Sequence, residues 1–258
     1  MATYLSTLNA HERDQHIEFY EPTHVYTVKG DSNYTSVTTW NHSHFGSFDA
    51  DKIIGNMVKS GKLEDPTYKY YGKTPEDIKK MWAENGKEAS SAGTQTHLHI
   101  EHFYNRIEVV DDSTEYAYFQ NFVKDYPQLE AYRTEWCVYD EDLKIAGSID
   151  MVYRDKNTGE FYIYDWKRSK RISFESFNGA KAKTECINHL DDSNFWHYSL
   201  QLNVYRKILR SHYGIDAKQL CLVVLHPDNY SQNYEIVELP FLDEEVEQLW
   251  EYRKNQLM

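Results

Sequence analysis

Between residues 132 and 167 the chain carries three segments dense in β-branched and aromatic residues, at 132–139, 145–153 and 161–167. Between them lie Asp140-Glu141-Asp142 and Asp155-Lys156-Asn157-Thr158-Gly159, which read as turns. β-Branched and aromatic side chains suit a pleated, half-buried surface, whereas Asp, Asn and Gly supply turns. Three sequential strands with tight turns imply an antiparallel meander, and a sheet needs helices or another sheet to cover its apolar surface. Residues 194–212 follow as a long amphipathic helix with Tyr198, Leu202, Tyr205 and Leu209 at helical spacing, stopped by Gly214. Residues 220–225 read as a buried strand, 234–239 as an edge strand and 243–253 as a closing helix.

Upstream, residues 25–28 and 34–38 have strand character and flank Lys29-Gly30-Asp31-Ser32-Asn33, which has the composition of a hairpin loop. Helices are expected over 49–59 and 75–84, the second with Thr74 as N-cap and Pro75 at the first helical position. Residues 62–73 lack periodicity and read as a connection. Two more helices are expected over 87–105 and 114–124, the latter ended by Tyr126-Pro127. A chain of 258 residues, 40% hydrophobic and 27% charged, suits one globular domain: an N-terminal hairpin and helical lobe (1–86), a core (87–240) and a C-terminal helix (241–258).

Composition also excludes classes of function. Cys137, Cys186 and Cys221 lie far apart, which argues against a disulfide framework and against an iron–sulfur cluster, which usually takes four thiolates. No apolar run approaches a membrane span, and no signal peptide or mitochondrial presequence is legible, so a cytoplasmic or nuclear location is expected. The net charge of −13 argues against sequence-indifferent coating of nucleic acid, although a local basic groove or bound divalent cations would permit binding.

The chemistry concentrates in Gly147-Ser148-Ile149-Asp150, followed after fourteen residues by Asp165-Trp166-Lys167. On a strand, Asp165 and Lys167 share one face while Trp166 points to the other with Tyr162 and Tyr164. Burying such charges costs several kcal/mol apiece unless they are paired or bind metal. Asp150, from the neighbouring strand, brings a second carboxylate to the same point. Taken alone, the pattern reads equally as a buried ion pair or as a site where carboxylates hold Mg²⁺ or Mn²⁺ and Lys167 orients or helps deprotonate a water for phosphodiester hydrolysis.

Asp150 with Asp165-Trp166-Lys167 resembles the D…(D/E)xK signature of the PD-(D/E)XK nuclease superfamily. The likeness is to the branch that holds the RecB nuclease domain, lambda exonuclease and the mitochondrial genome maintenance exonuclease. Gly93-Thr94-Gln95-Thr96-His97 resembles that branch's G-T-x-x-H helix, Gln201-Leu202-Asn203-Val204-Tyr205 its Q-x-x-x-Y helix, and residues 26–38 its H-x-Y-x-V…S-V-T opening. Two departures stand out: Ile149 replaces the proline that names the superfamily, and the four-cysteine cluster of some members is absent.

The resemblance implies a restriction-endonuclease-like α/β core, with a central mixed sheet flanked by helices and an N-terminal helical lobe. It implies a Mg²⁺- or Mn²⁺-dependent deoxyribonuclease without an iron–sulfur cluster, acting on DNA with free ends in replication, recombination or repair. Protein partners from those processes are expected, and phage or viral members belong to the same branch. His97, Asp150, Asp165 and the Trp166 carbonyl would hold metal, Lys167 would activate water, and Gln201 and Tyr205 would support the site. A structure-specific endonuclease or a non-cutting nucleic-acid-binding module remain alternatives, the second disfavoured by the intact Asp150, Asp165 and Lys167.

Other residues carry less. Glu135 resembles a family carboxylate, but a glutamate at a strand edge is usually solvated. Glu88 is a possible contact for metal-bound water, though a helix-surface role fits it better. Zinc at His97 and Glu101 lacks an HExxH motif or paired thiols, and His99 points away from His97 on a helix. The local basic concentration, Arg168, Ser169, Lys170 and Arg171 with Lys181 and Lys183, suits a phosphate-tracking groove as well as a solvated loop. Phe174 and Phe177 in this loop are candidates for base stacking.

Overall fold

The computed structural model describes residues 3–258. Its elements run α1 (Tyr4–Leu8), β1 (Ile17–Tyr20), β2 (Val25–Val28), β3 (Thr35–Ser36), α2 (Val37–Ser43), α3 (Ala50–Lys59), α4 (Pro75–Tyr104) and α5 (Thr114–Asp125). They continue through β4 (Leu129–Asp140), β5 (Ile145–Asp155), β6 (Phe161–Lys167), α6 (Asn194–His212), β7 (Ala217–Val224), β8 (Glu235–Glu238) and α7 (Asp243–Leu257). The chain clusters into two compact units, one formed by the residues up to Gly46 with Thr96–Met258, the other by Ser47–Gln95. The N-terminal strands thus cluster with the sheet, and the boundaries differ from the subdivision read from sequence. No helix among the described residues is long and apolar enough to cross a membrane.

The larger unit is α/β, with a central mixed sheet of six strands flanked by helices. Strands β4, β5 and β6 form the expected antiparallel meander, β6 runs parallel to β7, and β8 closes one edge antiparallel to β7. Alternation along the strands makes two cores. Ile163 of β6 joins Leu220 and Leu222 of β7 beneath Leu200, Val204 and Ile208 of α6. Tyr164 and Trp166 join Cys221 and Val223 beneath Phe119 and Phe122 of α5. Sheet residues of period two are matched on each face by residues of helical period.

One edge of β5 is divided between two partners. Met151 to Arg154 pair with β6, Ile145 and Ala146 pair in parallel with β3, and residues 147–150 have no ladder partner on that edge among the described residues. In this fork Gly147 meets the ring of Tyr205: a Cβ at residue 147 would lie 2.7 Å from the Tyr205 hydroxyl and 3.1 Å from Val37 Cγ2.

The N-terminal segments do not form the expected hairpin. β2 pairs antiparallel with β1, Ile17 opposite Val28, while in the second segment only Thr35 and Ser36 form a strand. Ser36 explains the difference: its side chain accepts from Thr39 N at 3.0 Å and caps α2, so Val37 enters a helix despite its β-branched side chain. The two helices expected over 75–84 and 87–105 are one, α4. Gly86 costs such a helix only about 1 kcal/mol relative to alanine, which does not break it. Its expected start holds, since Thr74 and Asp77 exchange capping hydrogen bonds of 3.1 Å. In the smaller unit Ile54, Tyr70 and Ile78 form a core with Met57, Met81 and Trp82 around them.

Gly147→Ala should destabilise the fold by about 1–3 kcal/mol through overpacking against a rigid ring. Urea unfolding checks this, and combination with Tyr205→Ala should cost less than the two changes summed, since the substitutions share one contact.

Candidate metal centre

Three adjacent strands bring three carboxylates to one level. Glu135 of β4 lies opposite Asp150 of β5, between the pairs Thr134–Met151 and Trp136–Ile149. Asp165 of β6 follows the pair Met151–Tyr164 and so faces Asp150 from the other side. The backbone departs from regular pairing here. Glu135 has φ +43°, a left-handed conformation that costs a non-glycine residue about 1 kcal/mol or more. The Trp166 N–H donates to Asp150 Oδ2 at 3.1 Å, so a side chain stands where a ladder carbonyl would otherwise accept.

Helix α4 adds an imidazole. His97 Nε2 is 2.8 Å from the Trp166 carbonyl oxygen, which turns Nδ1 towards the acids, 3.5 Å from Asp150 Oδ2 and 3.7 Å from Glu135 Oε1. One ligand atom each of His97, Glu135 and Asp150 lie within 4.8 Å of one another. Ser148 Oγ donates to Glu135 Oε2 at 3.0 Å, and the Tyr26 hydroxyl of β2 is placed by the Ser148 backbone. Lys167 Nζ is 2.6 Å from Asp165 Oδ2 and 4.6 Å from the centre of the Tyr198 ring. Asp165 Oδ2 is buried, and the Lys167 ammonium is its ion-pair partner.

The cluster carries more negative charge than its cations offset. Burial raises both Asp150 and Asp165; His97 partly offsets the rise at Asp150 and Glu135 adds to it, while the charge of Asp150 helps push Asp165 up to about 6. Burial lowers the proton affinity of His97, but Asp150 and Glu135 outweigh it and raise the ring to about 9. Burial also disfavours the Lys167 ammonium, and Asp165 and Asp150 more than compensate, holding it above the ordinary lysine value. Glu101, one turn beyond His97, is raised by burial, then by Glu135 and Glu21. An imidazole nitrogen and several carboxylate oxygens within reach of one another suit a divalent cation of the Mg²⁺ or Mn²⁺ type.

Helix α6 braces the fork. The Gln201 side chain hydrogen-bonds the buried Tyr205 hydroxyl, which lies against Gly147. Gln201 therefore acts through Tyr205. The basic stretch is less free than its sequence suggests: Arg168 pairs with Glu115 at 2.6 Å, Lys170 with Asp228 at 2.7 Å, and Lys181 with Asp191. Ser169 Oγ is turned to the Arg171 carbonyl at 3.1 Å. Among the described residues, Arg171 and Lys183 have no ion-pair partner.

His97, Asp150, Asp165, Trp166 and Lys167 are thus brought together, with Gln201 and Tyr205 beside them. Glu135, discounted as a strand-edge residue, belongs to the cluster, and its signal was its register opposite Asp150 in the meander. Tyr198 was also missed, although it precedes Gln201 by three residues and so shares its helical face. His99 binds Asp111 instead, with Nδ1 2.5 Å from Oδ2, and Glu88 is exposed on α4.

The sequence matches no family model and no curated protein. Among solved structures, one titled "Crystal structure of SSO0001" is similar over 86% of this chain and 75% of its own, with 14% identity and a TM-score of 0.32.

The shifts of His97, Asp150 and Asp165 share one sign. Each group binds its proton more tightly folded than unfolded, so its contribution to stability is full at low pH and is lost as pH rises. For Asp165 the loss runs from 3.8 to about 6, and for His97 from 6.5 to about 9. In EDTA, the His97 contribution to the unfolding free energy should fall between those last two values by up to about 3 kcal/mol. Urea denaturation across that range should show the decline flattened in His97→Gln.

Proposed function

We propose that the protein is a Mg²⁺- or Mn²⁺-dependent DNA exonuclease of the PD-(D/E)XK type. The observation that carries this reading is the convergence of Asp150, Asp165, Lys167 and His97 around the Trp166 backbone, at the fork of the sheet. Solvent reaches the cluster from one side: the Glu135 side chain is 33% exposed and that of Asp165 only 4%. A metal ion at the outer acids would therefore be open to a phosphate.

His97, Glu135, Asp150 and Asp165, with the Trp166 carbonyl, would hold the cation. When bound, it supplies Lewis-acid polarisation of a phosphate oxygen and lowers the pKa of water. The Lys167 ammonium, held by Asp165 and by the ring of Tyr198, is positioned to donate to a water oxygen or to a non-bridging phosphate oxygen as charge develops there. In the hydrolysis a water oxygen bonds to phosphorus and the bond to the leaving sugar oxygen breaks. A water proton goes to solvent and the leaving oxygen takes one up. Gln201 and Tyr205 keep the fork in shape through Gly147.

Exonuclease action, and a place in replication, recombination or repair beside other DNA-processing proteins, rest on the family resemblance. An intact Asp150, Asp165 and Lys167 disfavours a module that binds without cutting, since such a module needs none of the three for hydrolysis. With its excess of carboxylates, the site should bind DNA more tightly when the cation cancels their repulsion.

End-labelled linear and covalently closed DNA, single- and double-stranded, incubated with Mg²⁺, Mn²⁺ or EDTA, tests the proposal. Linear DNA should be degraded, EDTA should stop the reaction, and Lys167→Ala should slow it by about a hundredfold or more, the range for losing one charge-stabilising donor. Cutting of closed circles would instead indicate an endonuclease, and no cutting by the folded wild type would favour the binding module. Mn²⁺ alone should raise the Tm of the wild type and leave that of Asp150→Asn much less affected, since ligand binding to the native state is stabilising.

A further inference from the structure

The segment between β6 and α6, residues 168–193, is long but tied down. Ser173 N donates to Asn194 Oδ1 at 2.8 Å, Asn194 Nδ2 to the Arg171 carbonyl at 2.8 Å, Ser193 Oγ to the Phe174 carbonyl at 3.2 Å and Ser176 N to Asp191 Oδ2 at 3.2 Å. Further along, Asp192 N donates to the Ala180 carbonyl at 2.9 Å and Ala182 N to the Leu190 carbonyl at 3.0 Å. A loop anchored at so many points holds its shape before any ligand arrives.

On this braced loop Phe174 and Phe177 are 57% and 87% exposed. Phe174 leans on Phe195, ring centroids 4.4 Å apart, which fixes one side of the ring. Phe177 opens a tight turn completed by Asn178 and Gly179 at φ +59° and +69°. A single exposed phenyl ring is ordinary. Two rings three residues apart, on an open groove of about 480 Å³ lined by residues 171–177, form a pair of exposed apolar surfaces, Phe174 backed by Phe195 and Phe177 almost fully open.

Charge indicates what they receive. Arg168, Lys170 and Lys181 are neutralised by acids of the chain itself, whereas Arg171 lines the groove without a counter-ion among the described residues. Glu175, the one acid between residues 168 and 183, lines the same groove but makes no ion pair with Arg171 among the described residues. The anchor residue Asn194 lies one helical turn before Tyr198, whose ring meets Lys167, so groove and metal centre are linked along one face of α6.

We propose that residues 171–177 form a base-stacking platform, in which Phe174 and Phe177 receive unpaired nucleobases while Arg171 holds a phosphate of the same strand. The proposal rests on the nuclease reading and deepens it by assigning residues that select an unpaired strand. Within a duplex the flat faces of the bases are covered by their neighbours, so rings presented in this way engage unpaired or terminal bases. Every base has such a face, so the platform tolerates any sequence.

The test is fluorescence anisotropy of a labelled oligothymidylate of about twenty nucleotides and of a blunt hairpin duplex, with Mg²⁺, in a Lys167→Ala background, read before the slowed cutting consumes the DNA. Phe174→Ala combined with Phe177→Ala should raise the single-strand Kd about tenfold or more, the range for losing stacked bases, and leave duplex affinity within about twofold. Phe177→Trp should retain single-strand affinity, and Arg171→Gln should flatten the dependence of log Kd on log salt by about 0.7. Thermal unfolding should hardly change, because both rings are largely outside the core. Unchanged single-strand affinity in the double variant, or equal weakening on both DNAs, would overturn the platform while cutting by the wild type kept the nuclease reading intact. No single-strand binding by the Lys167→Ala protein overturns the platform as well, and if the wild type also leaves every DNA uncut, the nuclease reading falls with it.

Discussion

The division of one edge of β5 between two partners is the constraint from which the site follows. Where β3 ends and β6 has not yet begun to pair, residues 147–150 have no neighbouring ladder on that edge among the described residues, and side chains must do what a strand would have done. Asp150 does so by accepting the Trp166 N–H. A buried carboxylate in this role is costly, and it sits between two more, Glu135 and Asp165. His97 and Lys167 offset part of that cost as cations, but each is itself held charged by the acids around it. Buried clusters of this kind often contribute less to stability than apolar packing of the same space would.

Helix α6 connects this polar fork to the rest of the molecule. Its apolar residues Leu200, Val204 and Ile208 cover the sheet, while Tyr205 fills the space that Gly147 leaves and Tyr198 faces Lys167. At its start Asn194 and Ser193 hold the preceding loop by their side chains. One rigid element therefore packs the core, positions the lysine and fixes the loop. Small errors in its placement would be felt at all three, because protein interiors are close-packed and transmit displacement.

Much of the architecture was legible because it depends on local pattern. Aromatic and β-branched segments between short turns marked the meander, and the spacing of Tyr198, Leu202, Tyr205 and Leu209 marked α6 to the residue. The misreadings came where a local preference was overruled. Val37 lies in a β-branched run, yet the Ser36 cap draws it into a helix, and Gly86 has a low helix propensity, yet α4 passes through it. In the site, Asp150, Asp165 and Lys167 stood out because charges in apolar strands require a reason. Glu135 did not, since its position opposite Asp150 is a property of register.

The sequence by itself determined most of the elements, the two periodicities that bury them, and the charged groups that stand out in apolar strands. Tertiary structure alone decided which of those groups meet and which are already occupied. Arg168, Lys170 and Lys181 read as a basic run, but Glu115, Asp228 and Asp191 reach them from α5, from the turn after β7 and from the segment before α6. The physical reason is that charge pairing and desolvation depend on distance through space, which covalent order specifies only within a turn or a strand pair. Beyond that range the fold brings the partners together, and with them the fork that draws carboxylates, imidazole and lysine to one point.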